Sequence, residues 1–268
     1  MTPRLFLHVL SLEARQSMSY RVSFWTNALS ILVIGFVIPY YLWQSIYRSN
    51  DQATIGGYRF EDMVLYTIIA ALLGRVVRGP NLGLAVSNEI YQGELTKYCL
   101  YPTHLRLFKY AQHLGALMPH MVLLLLIGVP FIAWLGVGEH WSPWNLAAGA
   151  VLLALANGAY FLIGWPIHAL AFWADNVWSL AVLLQLGTQL LGGVLLPIDL
   201  FPGWAFDALI WTPFPHLFYS PTKVLLGQAT ASEWAHAALV LAVWNVIIAW
   251  AGAWVWRRGE ARYTGVGI

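Results

Sequence analysis

The chain has 268 residues, of which 59% are hydrophobic and 10% charged, with a formal net charge of +2. A water-soluble domain carries about a quarter charged residues, whereas uncharged stretches of 20 or more residues occur here, so a soluble fold is excluded and lipid must be the solvent. The charge is too small to argue for a nucleic-acid partner, and Cys99, the single cysteine, excludes an intrachain disulfide and a thiol-rich metal site.

The first element is residues 1–21. Arg4, His8, Ser11, Arg15 and Ser19 share one helical face and Leu5, Val9 and Leu12 another, the amphipathic spacing of an interfacial helix lying on the cytoplasmic leaflet. The first long apolar run starts only near Val22, exceeds a signal h-region and has no small-residue cleavage pattern behind it, so it is expected to remain in the mature chain.

A membrane-spanning helix needs roughly 20 predominantly apolar residues. Six stretches meet or approach that: Val22 to Ile46, Asp62 to Val77, Gln112 to Val137, Asn145 to Phe172, Val177 to Leu196 and Trp234 to Trp256. The runs are continuous, without the alternation of a lipid-facing strand, and a helix satisfies every backbone group internally. The expected fold is therefore an all-α integral membrane protein in one membrane domain. The second span has a short apolar core, Met63 to Gly74, followed by Arg75 and Arg78, and it crosses only if those arginines snorkel to the cytoplasmic headgroups.

Residues 86–103 are too polar to cross, and short cytoplasmic helices are expected there. Glu94 and Lys97 are three apart, close enough to meet on a helix, and Pro102 fits a stop. On spacing alone this is a solvated connector with ordinary ion pairs. Within the spans, Pro39, Pro119, Pro130 and Pro166 are positioned to kink their helices. His113, His120 and His168 lie in no His-Glu-x-x-His pattern, and the neighbouring runs lack acids, so helix packing explains them better than a metal site.

Gln185, Thr188 and Gln189 form one polar stripe of the fifth span. Such a stripe either lines a pathway or bonds neighbouring helices. Residues 197–233 carry Phe201, Trp204, Phe206, Trp211, Phe214 and Phe218 among prolines and glycines. They are read as short helices dipping into the outer leaflet, either as the lid of an exit route or as a structural cap.

Basic residues set the orientation. With the N-terminus in the cytoplasm, Arg4, Arg15, Arg21, Arg75, Arg78, Lys97, Arg106, Lys109, Arg257, Arg258 and Arg262 lie inside, against Arg48, Arg59 and Lys223 outside, eleven to three. An even number of spans returns the C-terminus to the cytoplasm. Tyr40, Tyr41, Trp43 and Tyr47, and Trp134, Trp141 and Trp144, supply interfacial anchors at the outer boundaries.

Two stretches carry a resemblance. A glutamate, then Gly93-Glu94-Leu95, then Pro102 after a short helix, is similar to the cytoplasmic segment of type-2 ABC exporter permeases. Gly192-Gly193 through Pro197-Ile-Asp-Leu-Phe201-Pro202-Gly-Trp204, followed by Pro213-Phe214-Pro215 and Ser220-Pro221, resembles the extracellular hairpin before that family's last span. The order of elements resembles the family over essentially the whole chain, closest to its prokaryotic branch that is often encoded with a sister permease and one ATPase.

The resemblance implies a coupling helix at Glu89, Gly93, Glu94, Leu95 and Tyr98 that meets an ABC ATPase dimer. It also implies a second permease as partner in a homodimer or related heterodimer, and an extracellular re-entrant hairpin whose Pro197, Phe201, Pro202 and Trp204 act as a gate. Gln185, Thr188 and Gln189 would line the shared pathway. No Gly-x-x-x-x-Gly-Lys-Ser/Thr cradle occurs in the chain, so ATP and Mg are expected on the partner and no cofactor on this chain. The expected function is ATP-driven export of an amphipathic substrate such as a lipid, a lipid-linked glycan or a hydrophobic drug, in the cell (inner) membrane with both termini cytoplasmic. The competing class, a self-sufficient ion-coupled secondary transporter, should show an ionisable residue buried at mid-membrane for proton or sodium coupling.

Overall fold

The computed structural model describes residues 1–19, 22, 25, 26, 29, 30, 33–50, 53–79, 85–101, 103–130 and 142–263. Arg21, Pro102, Trp134, Val137 and Trp141, on which parts of the sequence reading rest, lie outside them. Among the described residues the chain is helical, apart from one short bridge that pairs Ile55 with Tyr58.

The framework is a pair of long helices, α6 (Pro143–Leu170) and α10 (Ala231–Glu260). At 1.5 Å per residue they run about 42 and 45 Å, the thickness of a bilayer with its headgroups, and both are long and apolar enough to cross one. Local chemistry sets their starts. Ser142 accepts the Asn145 amide ahead of Pro143, and Thr230 and Glu233 form a reciprocal capping box, which satisfies otherwise orphaned amides.

The two helices run parallel in contact along their length. Small residues permit the close approach: a methyl group at Gly259 would fall 2.1 Å from the Phe172 ring, and Gly252 abuts Trp165 and Pro166. Midway, Asn245 donates to Leu155 O at 3.2 Å. Aromatic pairs close both ends, Trp144 with Trp234 at the start and Trp165 with Trp256, 4.7 Å between centroids, at the finish.

The N-terminal helix α1 (Pro3–Ser19) lies along α5 (Leu105–Leu123). Val9 is buried in that contact, while Leu7, Leu12 and Met18 are exposed. Leu12 is therefore on the outward side with Leu7, not beside Val9. Two π-helical turns, Val33–Val37 before α2 (Ile38–Asn50) and Leu124–Gly128 after α5, directly precede Pro39 and Pro130. Each of those prolines lacks the N–H that would hold the carbonyl four residues back, so the helix re-registers there. Pro119 and Pro166 instead sit inside continuous α-helix.

The second span differs from its expected form. Helix α3 (Phe60–Arg78) is packed on nearly every side, with Trp43 Nε1 donating to Thr67 Oγ1 at 2.9 Å near its start. Its C-terminal end does not reach the C-terminal end of α6. Asn157, halfway along α6, donates to the carbonyls of Val76 and Val77 at 3.1 Å each. Gly79 then breaks the helix at φ 64°. The chain resumes as α4 (Ala85–Tyr91), where Ser87 and His168 meet at 3.1 Å and Val86 and Ile90 join a core with Trp165, Ala169 and Trp256. Arg75 and Arg78 therefore lie at the middle of the bundle and not at the headgroup level to which the sequence assigned them.

The fifth span is also shorter than expected. Helix α7 (Trp178–Leu191) stops before Gly192, where a side chain would come within 2.5 Å of the Phe218 ring and 3.0 Å of Phe214 O. Residues 192–196 turn instead into the hairpin of α8 (Gly203–Leu209) and α9 (Phe214–Leu225). Its tip reaches the middle of α10: Trp244 Nε1 donates to Trp211 O at 2.9 Å, and His216 and His236 both approach Ile210 O. Returning, α9 buries Leu217, Phe218, Thr222 and Val224 between α3 and α6.

Candidate functional site

The segment between α4 and α5 is built around one glycine. Gly93 takes φ 72°, a left-handed value that costs a side chain but not glycine, and it turns the chain from α4 into a 3-10 helix, Glu94–Leu100. Glu94 and Lys97 are ion-paired on the outside of that turn, as their spacing predicts. The contact with Glu94 raises the Lys97 ammonium above its ordinary pKa.

Behind the turn is a buried charge cluster. Glu89 Oε1 accepts from Tyr98 OH at 2.6 Å and from Lys109 Nζ at 2.7 Å. Lys109 Nζ also lies 2.7 Å from Tyr98 OH and 4.8 Å from the Tyr98 ring centroid. The Lys109 and Glu89 side chains are only 6% and 16% exposed. Burial, then the hydrogen bond to Glu89, raises the Tyr98 hydroxyl above its ordinary pKa. The cluster ties α4 and the 3-10 turn to α5.

The five residues expected to couple thus divide. Glu94 is outward, Gly93 makes the bend, and Glu89, Leu95 and Tyr98 face inward, with Leu95 in the same core as Trp165 and Phe172. Sequence reasoning missed Lys109, counted only as a topological charge. It also missed Leu100 and Tyr101, which stand 85% and 43% exposed beside the turn.

At the opposite end of the molecule Asp199, just before α8, gathers three partners. Tyr58 and Tyr219 donate hydrogen bonds to its carboxylate, the latter at 2.6 Å, and Lys223 Nζ lies 3.6 Å away. Of the expected gate residues, Pro197 is buried, Phe201 is half-buried, and Pro202 and Trp204 are exposed. Two bonds hold the hairpin to the turn before α3, from Tyr58 to Asp199 and from Lys223 Nζ to Tyr58 OH at 3.2 Å. Asp199→Asn is expected to cost about 2 kcal/mol, the scale of hydrogen bonds to a charged acceptor, and to speed amide exchange in residues 198–209. Unchanged exchange there would remove the latch.

On α7 the polar stripe is split: Thr188 is buried, Gln189 half-buried and Gln185 exposed. Thr188 bonds Gln185 O at 3.0 Å and lies in hydrogen-bonding range of Tyr160. Among the histidines, His113 Nε2 meets Asn157 Nδ2 at 3.0 Å and His168 meets Ser87, so both join helices. Among the described residues no group of three or more His, Cys, Asp or Glu side chains is placed to hold a metal ion.

A protein-family model described as ABC-2 family transporter protein matches residues 18–267. No curated protein and no solved structure matches the chain.

Proposed function

Because the chain belongs to the ABC-2 transporter family and is thus a membrane subunit that works with an ABC ATPase on a separate polypeptide, we propose that it is the permease half of an ATP-driven exporter, coupled through residues 86–103. Six spans cross the cell (inner) membrane with both termini in the cytoplasm. Two permeases, identical or related, enclose the pathway, and ATP and Mg stay with the ATPase dimer.

The observation that carries this reading is the left-handed bend at Gly93. It presents Glu94, Lys97, Leu100 and Tyr101 outward while Glu89 and Lys109 fasten the same segment to α5. A push on the exposed side is thereby delivered to a spanning helix through a short, charge-assisted contact. With Arg75 and Arg78 removed from the cytoplasmic group, nine basic residues still oppose three, which supports the same orientation.

The exposed face of α7, with Trp178, Leu183, Leu186 and Gln185, is apolar with a polar insert, as suits contact with a second permease or lipid. The Asp199-latched hairpin is the extracellular re-entrant element, with Phe201, Pro202 and Trp204 at its outer rim.

The test is to co-express the chain with its cognate ATPase and measure ATP turnover of the purified complex. Glu94→Lys and Gly93→Pro are expected to lower substrate-stimulated turnover at least about tenfold, equivalent to about 1.4 kcal/mol of coupling. Full turnover and full assembly in both variants would refute the coupling role.

A further inference from the structure

Arg75 and Arg78 are half-buried cations within the bundle. They sit on the last turn of α3, level with Asn157 and Asn245, the midpoints of the two longest helices. Among the described residues neither guanidinium is paired with a carboxylate or hydrogen-bonded. Lys109, buried behind the Gly93 turn, shows the usual solution, since Glu89 neutralises it.

The surroundings are shaped around the guanidinium groups. Arg78 Cζ stands 5.7 Å from the centroid of the Phe218 ring. Its Nη2 lies 3.2 Å from where a methyl group at Gly74 would be, so the glycine makes its seat. Arg78 Nη1 is buried without a partner, and so is His120 Nδ1 on α5. Arg75 is near enough to act electrostatically on both, as Tyr160 of α6 is on Arg78. Both arginines are half-buried as residues and so remain reachable. Among the described residues no carboxylate pairs with either guanidinium group, one of which keeps a buried, unpartnered Nη1, and a planar guanidinium matches an oxyanion in a bidentate geometry. A charge is kept inside a membrane bundle where it has a function.

We infer that Arg75 and Arg78 bind the headgroup of the translocated molecule, and that this molecule is an anionic amphiphile whose phosphate or carboxylate lies between the two guanidinium groups. This rests on the permease reading above and narrows its substrate class. Lipids and lipid-linked glycans that carry a phosphate fit the site, and uncharged hydrophobic drugs do not.

Binding to the purified full chain, which needs no ATPase, tests it. The chain is placed in phosphatidylcholine nanodiscs and titrated with dihexanoyl phosphatidylglycerol, dihexanoyl phosphatidylcholine and inorganic phosphate, with occupancy read by native mass spectrometry. Phosphatidylglycerol is expected to bind at least about tenfold tighter than phosphatidylcholine. Arg75→Gln and Arg78→Gln should each erase most of that preference and Arg78→Lys should retain part of it. Gly74→Ala, a substitution a helix tolerates, leaves every charge in place yet crowds Arg78 and should weaken phosphatidylglycerol several-fold.

A preference that survives both glutamine variants overturns the site, as does the absence of any preference. Competition by inorganic phosphate as strong as that by phosphatidylglycerol overturns the amphiphile. Loss of the lipid preference in a complex whose ATPase coupling is intact removes this inference alone, whereas failed coupling with binding intact removes the exporter mechanism alone.

Discussion

Glu89→Ala is expected to destabilise the chain by about 3–5 kcal/mol and to disable communication with the ATPase, the largest single effect in the molecule. The magnitude follows from what is left behind. The Lys109 ammonium, whose side chain is 6% exposed, would lose its counter-ion in a buried setting, and uncompensated buried charges cost on that scale. Tyr98 would lose its acceptor in the same step. The double variant Glu89→Gln with Lys109→Met removes both charges and should recover most of the stability, because replacing a buried pair is far less costly than breaking it. Thermal unfolding of the three proteins in detergent is the check. A double variant as unstable as Glu89→Ala would mean that the pair is not an isolated electrostatic unit.

Stability restored without restored turnover would separate the two roles of this cluster. The fold tolerates two neutral residues here, but transmission through Glu89 needs a stiff, charge-assisted link between the Gly93 turn and α5.

Gly115→Leu should prise α1 from α5. A Cβ at Gly115 would sit 2.4 Å from Leu10 O, 2.7 Å from Glu13 Cβ and 3.2 Å from the Ala14 amide. Two of these three are backbone atoms, which cannot swing aside as a side-chain tip does, so the whole helix has to move. Overpacking of this kind costs typically about 1–3 kcal/mol, and a leucine lies at the upper end. The bond from Gln112 to Glu13 Oε2 at 3.3 Å should be lost with it. Hydrogen exchange of residues 3–19 is the readout, with protection expected to fall at least about tenfold, the equivalent of about 1.4 kcal/mol. Retained protection would mean that α1 is held by lipid and not by α5.

These two sites lie on the same helix. Lys109 receives the Glu89 cluster, Gly115 receives α1, and His113 between them meets Asn157 of α6. Helix α5 thus joins the expected ATPase-facing turn, the N-terminal helix and the long framework. It is the element through which a push at the Gly93 turn would be distributed.

Much of the fold was legible in the sequence because its signals are local. Unbroken apolar runs announce α6 and α10, and Glu94 and Lys97 meet because three residues make nearly one helical turn. The candidate site was legible only in part. Glu89 was chosen, but its partner Lys109 lies 20 residues on, and no local period links them. Asp199 passed unnoticed as a single acid in an aromatic segment, since its partner Tyr58 is 141 residues away.

The second span shows the limit most clearly. Charge counting sends Arg75 and Arg78 to a headgroup region because an isolated helix in lipid has no other place for them. Whether a protein interior exists to receive them depends on Asn157, Gly74 and Phe218, brought together from α6, α3 and α9. The amino-acid order by itself determined that this chain is helical and lives in lipid, because backbone satisfaction and apolar transfer are decided residue by residue. Only the tertiary structure decided that α3 ends at the middle of the bundle and that the hairpin tip meets α10 near its midpoint, because depth and charge pairing depend on which distant side chains share a volume.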